Sequence, residues 1–508
     1  MVSRHDSAPP PPCPASFNLA AYVLQGVAAQ PDKIALQILR PTGAERWSYA
    51  RLEAAIRGTA SGLTALGLHP GDRILMRLGN TVDFPILFLG AIAAGLIPVP
   101  TSAQLTTPEV TRIAAEITPS LIAAAPGVAL PERSTCPALD LPALAALRDT
   151  QAGSYVMGES DRLAYIIYTS GTSGRPRAVM HAHRSIWARR MMWDGWYGMT
   201  PNDRILHAGA FNWTYTLGTG LLDPWTLGAT ALIPGDGVTS ATMPLLLKRF
   251  DATLFAAAPG VYRQILKAPL PALPKLRHGL SAGEKLSEHL RAQWTTATGT
   301  PVYEAFGMSE CSTFLSGSPA SPAPEGSLGY PQPGRRIALL GPDGTPTPLG
   351  APGQIAIDAT DPGLFLGYLN APDETHARFH NGWFLTGDIG QMDAAHAITY
   401  LGRADDMMNA GGYRVSPVEV ESVMAIHPAI HECAAVEVTV TLDTTVIACF
   451  YTGEDVPDAD LAGFAAAHLA RYKQPRLFVR CDTLPKGANG KLLRQQLRRD
   501  YEASHAET

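Results

Sequence analysis

Three patterns in the 508-residue sequence predict an α/β protein: a large N-terminal body of parallel sheets covered by helices, a β-rich subdomain, and a small mobile α+β domain at the C-terminus. Amphipathic helix patterns alternate with short β-branched runs as far as Pro259, which implies parallel strands with helical cover. Between Gly317 and Gly353 proline, glycine and serine dominate, the mark of loops and hairpins rather than further βαβ units. From Arg403 onward the chain has its own pattern, and a small unit behind a large α/β body suggests a cleft with ligands at the junction.

The elements follow in order. YARLEAAIRGTASGLTALG reads as a helix, DRILMRL as a strand and VDFPILFLGAIAAG as a second helix. The apolar run Phe84–Pro100 is shorter than the roughly 20 residues that a bilayer demands, so a buried helix and strand are expected there, with no membrane span. LAYIIYT is a strand, HRSIWARRMMWDGWYG a helix candidate, and RILHAGAF, TALIPG and ATLFAAAP are further strands. In the last hundred residues SPVEVESVMAIHP and LAGFAAAHLARY read as helices, and ECAAVEVTV and TTVIACFY as strands. The proline run in MVSRHDSAPPPPCPASF predicts an extended, disordered tail over residues 1–14.

Length alone allows two to four domains at about 100–200 residues each. With 40 Lys+Arg against 45 Asp+Glu the formal charge is −5, so no global field draws the chain onto nucleic acid, and an anionic ligand must be held locally. The six cysteines (Cys13, Cys136, Cys311, Cys433, Cys449 and Cys481) form neither C-x-x-C pairs nor zinc spacings, which fits a reducing cytoplasm.

The strongest local signal is YTSGTSGRPR, Tyr168–Arg177, after the strand candidate LAYIIY. Its residues Thr169, Ser170, Gly171, Thr172, Ser173 and Gly174 put two glycines and four hydroxyls into six positions, a loop able to wrap phosphate oxygens. It is not a Walker loop, since G-x-x-x-x-G-K-[ST] is absent.

Here the sequence resembles the adenylate-forming, AMP-binding superfamily of acyl-CoA synthetases, near the acetyl, medium-chain and benzoate-CoA ligase branches. Four more of its motifs follow in order: YEAFGMSE (Tyr303–Glu310), GWFLTGD (Gly382–Asp388), GRADDMMNAGGYRVSPVEVE (Gly402–Glu421) and PKGANGK (Pro485–Lys491). The resemblance implies an AMP-forming carboxylate–CoA ligase using ATP, Mg²⁺ and coenzyme A, with an adenylating domain at 15–402 and a C-terminal domain at 403–508. It implies that Lys491 bridges the carboxylate and the α-phosphate, that Glu310 holds Mg²⁺, and that Ser309 and Arg177 contact phosphate. By the same resemblance Phe306, beside Gly307, would stack on adenine, with Gly283 and Glu284 bordering the base. Asp388 and Arg403 would hold the ribose, and Arg414 would reach the pyrophosphate end. Asp405 would be the hinge, and Gly411 and Gly412 would pass beside the pantetheine channel once the C-terminal domain has rotated.

Arg177, Ala178 and Asn409 depart from the usual lysine, glycine and lysine of that pattern. The planar guanidinium of Arg177 keeps the charge while changing how a triphosphate is gripped. GLSAG at Gly279–Gly283 also matches a hydrolase nucleophile elbow, but His376, His380 and His396 stand in no matching context. Delivery of the adenylate to a carrier protein or an amine is the closer alternative. An acyl pocket is expected from Phe211, Trp213, Tyr215 and Ser281, whose rings favour a compact short- or medium-chain aliphatic acid or a simple aromatic acid.

Overall fold

The computed structural model describes the chain apart from residues 135, 170–175, 411–412, 442–443, 488–491 and 506–508, with backbone alone at 409–410, 413–414, 441, 444 and 505. It divides into two compact units, one of Asp6–Arg336 with Ala359–Phe379, the other of Met1–His5 with Ile337–Asp358 and His380–Thr508.

The larger unit is built on a nine-stranded sheet. Its central strands, Val302–Met308, His278–Ala282, Leu254–Ala257, Arg204–His207, Thr230–Pro234 and Ile34–Arg40, run parallel in that spatial order. Antiparallel strands close both edges: Ser312–Ser316 and Tyr330–Pro331 on one side, Gly43–Ser48 on the other. Parallel strands are covered on both faces, and alternation along them divides the core. Leu206, Phe255 and Ala257 pack with Tyr262 and Trp294, whereas Ile205, Ala256, Leu280 and Ala282 pack with Trp196, Tyr197 and Tyr215.

A second, four-stranded parallel sheet (Ile97–Pro100, Arg73–Arg77, Leu121–Ala124, Ala138–Leu139) lies beside the helices Tyr49–Ala65 and Asp83–Ala93. Every residue from Phe84 to Ala93 is buried, which explains a helix apolar all round, and no helix among the described residues is long and apolar enough to cross a membrane. Ser48 caps Tyr49–Ala65 by accepting from the Arg51 N–H.

The helix expected over His183–Gly198 is interrupted. Ser185–Ala188 is α-helical, Met191 and Met192 resume the helix after a turn, and Trp193–Tyr197 forms a π-helical turn ended by Gly198 at φ 51°. Ser316 Oγ donates to the Gly195 carbonyl at 2.7 Å, so a tertiary contact competes with the helix at a residue already weak in it.

In the smaller unit the strands Ile337–Leu340, Pro352–Asp358, Trp383–Met392 and Ile398–Arg403 form an antiparallel sheet. Its edge corrects the expectation of a disordered tail over 1–14: Arg4–His5 pairs with Ile337–Leu340, and Ser3 is fully buried with its hydroxyl on Pro348. Two-residue pairing beyond a proline run leaves no periodic signal. In the larger unit the Ser7 hydroxyl accepts from Gly334 N–H at 2.9 Å. The last hundred residues fold as an α+β layer, with strands Ile430–Thr441, Thr444–Gly453 and Leu477–Arg480 against helices Pro417–Met424, Asp458–His468 and Arg494–His505. All six cysteines are free thiols.

Candidate active site

In the larger unit, Glu310 occupies the turn between the strands Val302–Met308 and Ser312–Ser316, nearly buried, and its carbonyl accepts from Phe365 N–H at 2.7 Å. Tyr368 donates its hydroxyl to Glu310 Oε1 at 2.7 Å. Burial and that carboxylate push the Tyr368 phenol up to about 12, so it remains a donor. Arg177 lies 5.1 Å above the Tyr368 ring and pairs with Glu374 at 2.7 Å. Thr169 and Arg177 are register partners at the base of the phosphate-loop candidate. The intervening Ser170, Gly171, Thr172, Ser173 and Gly174 lie outside the described residues. One cation, one ring and two carboxylates, Arg177, Tyr368, Glu310 and Glu374, thus share a site, although Tyr368 and Glu374 stand far from Glu310 in sequence and carry no motif of their own.

Ala282 and Ala305 are register partners on adjacent parallel strands, so Gly283 and Phe306 come side by side just beyond them. Phe306 is half-buried, edge-on to Phe314 at 5.5 Å, and followed by the half-buried Gly307 and Ser309. Gly283 is exposed at φ 98°, and a Cβ there would stand 2.6 Å from the Trp213 ring. Both facts demand glycine. Tyr215 meets Trp213 edge-on at 5.3 Å and anchors its hydroxyl on the Leu280 carbonyl at 3.0 Å. Glu284 is half-buried beside Gly283.

Two of the expected pocket residues point elsewhere. Phe211 is buried against Phe84 at 5.1 Å, in the core beneath the helix Asp83–Ala93. Ser281 alternates with Leu280 and Ala282, and therefore faces the Phe255, Ala257 and Tyr262 side of the sheet, away from Tyr215. Ser281 lies within a strand, with its buried Oγ lacking any hydrogen-bond partner among the described residues, so the geometry of a hydrolase elbow is not met.

In the smaller unit Asp388 and Arg403 are register partners, and their side chains approach to 3.4 Å, with the Tyr400 hydroxyl at the same distance from Asp388. Arg403 Nε also reaches Asp405 at 3.3 Å. The next residue, Asp406, is tied to Arg494 at 3.4 Å, and Arg494 to Glu421 at 2.7 Å. Burial raises Asp406 and Glu421 above the ordinary carboxylate value, and Arg494 offsets only part of that rise. Arg414 pairs with Asn409 in the hairpin Met408–Ala410/Tyr413–Val415 by backbone, and their side chains lie outside what is described. Lys491, Gly411 and Gly412 lie outside the described residues.

The buried charges elsewhere escaped the sequence. Glu304, in the same YEAF segment as Phe306, is buried, and burial raises its carboxyl to about 7 even though Leu286 N–H and Arg291 donate to it. Arg189 and Asp223 form a second buried pair at 2.6 Å.

Residues 24–369 match the model of the AMP-binding enzymes, and residues 419–491 that of the AMP-binding enzyme C-terminal domain. The chain belongs to the AMP-binding enzyme family. Over 501 residues it is 29% identical to the 3-hydroxybenzoate–CoA ligase of Aromatoleum sp. (strain CIB), covering 93% of this chain and 94% of that one. Over 532 residues it is 29% identical to the mitochondrial acyl-coenzyme A synthetase ACSM5 of Mus musculus, covering 96% and 91%. A solved benzoate CoA ligase from Burkholderia xenovorans LB400 superposes with a TM-score of 0.86 at 30% identity, covering 95% of this chain and all of that one. The chain is accordingly an AMP-forming carboxylate–CoA ligase, and its reaction draws on ATP, Mg²⁺ and CoA. The ligase offers magnesium a fitting place at Glu310: one carboxylate oxygen is held by Tyr368, and no cluster of three acidic, histidine or cysteine groups competes among the described residues. Magnesium bound through one carboxylate with substrate phosphates is the common arrangement.

Proposed function

We propose that this ligase activates an aryl carboxylate in the cytoplasm. The observation that carries the reading is the grouping of apolar rings at the strand ends, where the ring of Trp213 lies over Gly283 beside Phe306 and Tyr215 meets Trp213 edge-on. Its likeness to benzoate and hydroxybenzoate ligases supports the same class. A carboxylate is a poor electrophile, so an oxygen of the acid attacks the α-phosphorus of ATP, pyrophosphate leaves, and the acyl adenylate forms. The CoA thiolate then attacks the acyl carbonyl, and AMP leaves with the bonding pair.

Two anions meet in the first step, so cations and oriented donors must act on its transition state. In this reading Lys491 bridges the carboxylate and the α-phosphate, Arg177 and the loop 169–174 hold the outer phosphates, and Arg414 reaches the pyrophosphate end. Phe306 stacks on adenine, and Asp388 with Arg403 takes the ribose hydroxyls. Magnesium at Glu310 would supply charge neutralisation for the phosphates. The domain boundary at 402/403 with its hinge at Asp405 belongs to the same proposal: rotation withdraws Lys491 and brings Gly411 and Gly412 beside the thiol arm.

The test is AMP and pyrophosphate release from Mg·ATP with benzoate, 3-hydroxybenzoate, acetate and hexanoate, with and without CoA. CoA-dependent AMP release best with a ring acid is the expected result. Preference for acetate or hexanoate sinks the aryl assignment, and turnover without CoA moves the acyl group to another acceptor. In the same assay Lys491→Ala should abolish adenylation while leaving thioester formation from supplied acyl adenylate largely intact; equal loss of both steps overturns the two-pose assignment. Trp213→Ala removes one of those rings, and the ratio of hexanoate to benzoate turnover should rise at least tenfold, on the order expected of a reshaped apolar pocket. An unchanged ratio would take Trp213 out of the pocket.

A further inference from the structure

Gln37 is the polar exception in the buried strand Ile34–Arg40. By alternation it shares a face with Leu39, which packs with Leu206, Leu232 and the helix Met243–Arg249. It is only 4% exposed, and its Oε1 has no hydrogen-bond partner among the described residues. A buried amide left unpaired costs about 1–3 kcal/mol. Gln37 lines a cavity of about 480 Å³, together with Thr42 of the adjoining hairpin turn and Phe250 at the end of that helix. Small-molecule sites have this size.

Three guanidiniums line the same cavity, those of Arg46, Arg204 and Arg249. Arg46 is the register partner of Gln37 and so shares its face, whereas the neighbouring acid Glu45 accepts from Trp47 Nε1 at 2.8 Å on the other. Arg204 Nε donates to the Phe250 carbonyl at 2.8 Å, and Arg249 donates to the carbonyls of Pro41 and Thr42 at 3.0 and 3.4 Å. These partners are neutral, and among the described residues no carboxylate forms an ion pair with any of the three arginines. Asp251 is the one acid in the lining, so three positive charges face one negative, a net +2. Burial lowers the Arg204 pKa, Asp251 offsets part of that, and Arg46 adds to it. Like charges gathered in this way favour an anion.

This cavity is apart from the nucleotide site. Gly283 and Phe306 lie towards the C-terminal ends of their strands, where open α/β sheets take substrate, whereas Arg204 begins its strand and Asp251 lies in the turn that enters Leu254–Ala257. Gln37 stands five strands from Phe306, roughly 24 Å across the sheet at about 4.8 Å per strand. We propose that the cavity is a second, non-catalytic site for a small phosphate monoester, with its dianionic phosphate on Arg46, Arg204 and Arg249. Charge selects this group: a phosphate monoester carries about −1.5 to −2 at pH 7, which balances the lining, whereas a carboxylate brings only one charge. Planar guanidiniums also take phosphate oxygens in pairs. The remaining volume houses the organic part, whose hydroxyls donate to Asp251.

Isothermal titration of the full-length ligase with glucose 6-phosphate, glycerol 3-phosphate, inorganic phosphate and gluconate tests the proposal. At least one of the two esters should bind at one site per chain, about tenfold or more tighter than gluconate, and tighter than inorganic phosphate. Two variants place the site. Arg46 is exposed, so Arg46→Glu should leave the fold and the ligase activity intact while weakening the ester by about tenfold or more. Asp251 sits at φ 48°, a conformation that asparagine tolerates, so Asp251→Asn should strengthen inorganic phosphate by about threefold without strain. A merely structural role for these residues would not move affinity in opposite directions. Binding of neither ester, or binding that neither variant moves, overturns the proposal. Inorganic phosphate held as tightly as the better ester overturns the assignment to an ester.

Discussion

Glu310→Gln should keep the fold and lose on the order of a thousandfold in kcat/KM for adenylation, a size typical of removing a charge that acts on a phosphoryl-transfer transition state. Glutamine matches glutamate in shape, and its oxygen can still accept from Tyr368, which stands 2.7 Å away, so the turn has no reason to rearrange. What is lost is the anionic oxygen that a hard divalent cation prefers over an amide. Tyr368→Phe separates charge from position. It leaves the carboxylate ionised but removes the hydroxyl that donates to it, and the expected loss is smaller, roughly tenfold. Pyrophosphate release titrated against Mg²⁺, with thermal unfolding as the control, reads both. A Glu310→Gln enzyme within threefold of wild type at unchanged metal dependence would remove Glu310 from the reaction.

Glu310 was legible in the sequence because a motif of eight contiguous residues carries it, and Tyr368 was not, because its partnership with Glu310 spans 58 positions and depends on the short strand Gly367–Tyr368 pairing with Arg177–Ala182. The same distinction runs through the fold. The helices Tyr49–Ala65 and Asp83–Ala93 and the strands of the central sheet announce themselves through local apolar patterns. Side-chain direction is harder. Phe211 and Trp213 differ by two positions in an irregular segment, yet one turns to Phe84 and the other to Gly283. Ser281 fails by parity: a strand buried on both faces shows no alternation by which to choose a side. The two-residue strand Arg4–His5 lies beyond a run of prolines, and its pairing with Ile337–Leu340 is a long-range event that no window of sequence contains. Buried charges such as Arg189 are equally hidden, since their tolerance depends wholly on a distant partner.

Stability should fall steeply in mild acid, and the cause is a set of buried histidines. His181, His183 and His207 are held at about 3 and His278 at about 4, in every case first by burial, with Arg189 and Arg184 adding to the effect at His181. His183 Nδ1 accepts from Leu19 N–H at 3.0 Å, a bond that requires the neutral ring, and neither nitrogen of His207 has a hydrogen-bond partner among the described residues. These folded-state values lie below the unfolded value of about 6.5, so the unfolded chain binds more protons as pH drops through 6.5, and stability is lost from there downward. At pH 5 each group costs roughly 2 kcal/mol. Glu304 acts in the opposite sense. Its folded value of about 7 lies above the unfolded one, so its ionisation weakens the fold as pH rises toward 7, and acidification restores roughly 2 kcal/mol. Four histidines outweigh one carboxyl, and the apparent Tm should fall by about 10 °C between pH 7.5 and 5. His207→Leu, which replaces an imidazole unpartnered among the described residues with an apolar side chain of similar volume, should reduce that fall by about a third and leave Tm at pH 7.5 no lower than wild type by more than a few degrees. Thermal unfolding at half-unit steps of pH decides it: a Tm constant from 7.5 to 5 would mean that the histidines take up protons without opening the core.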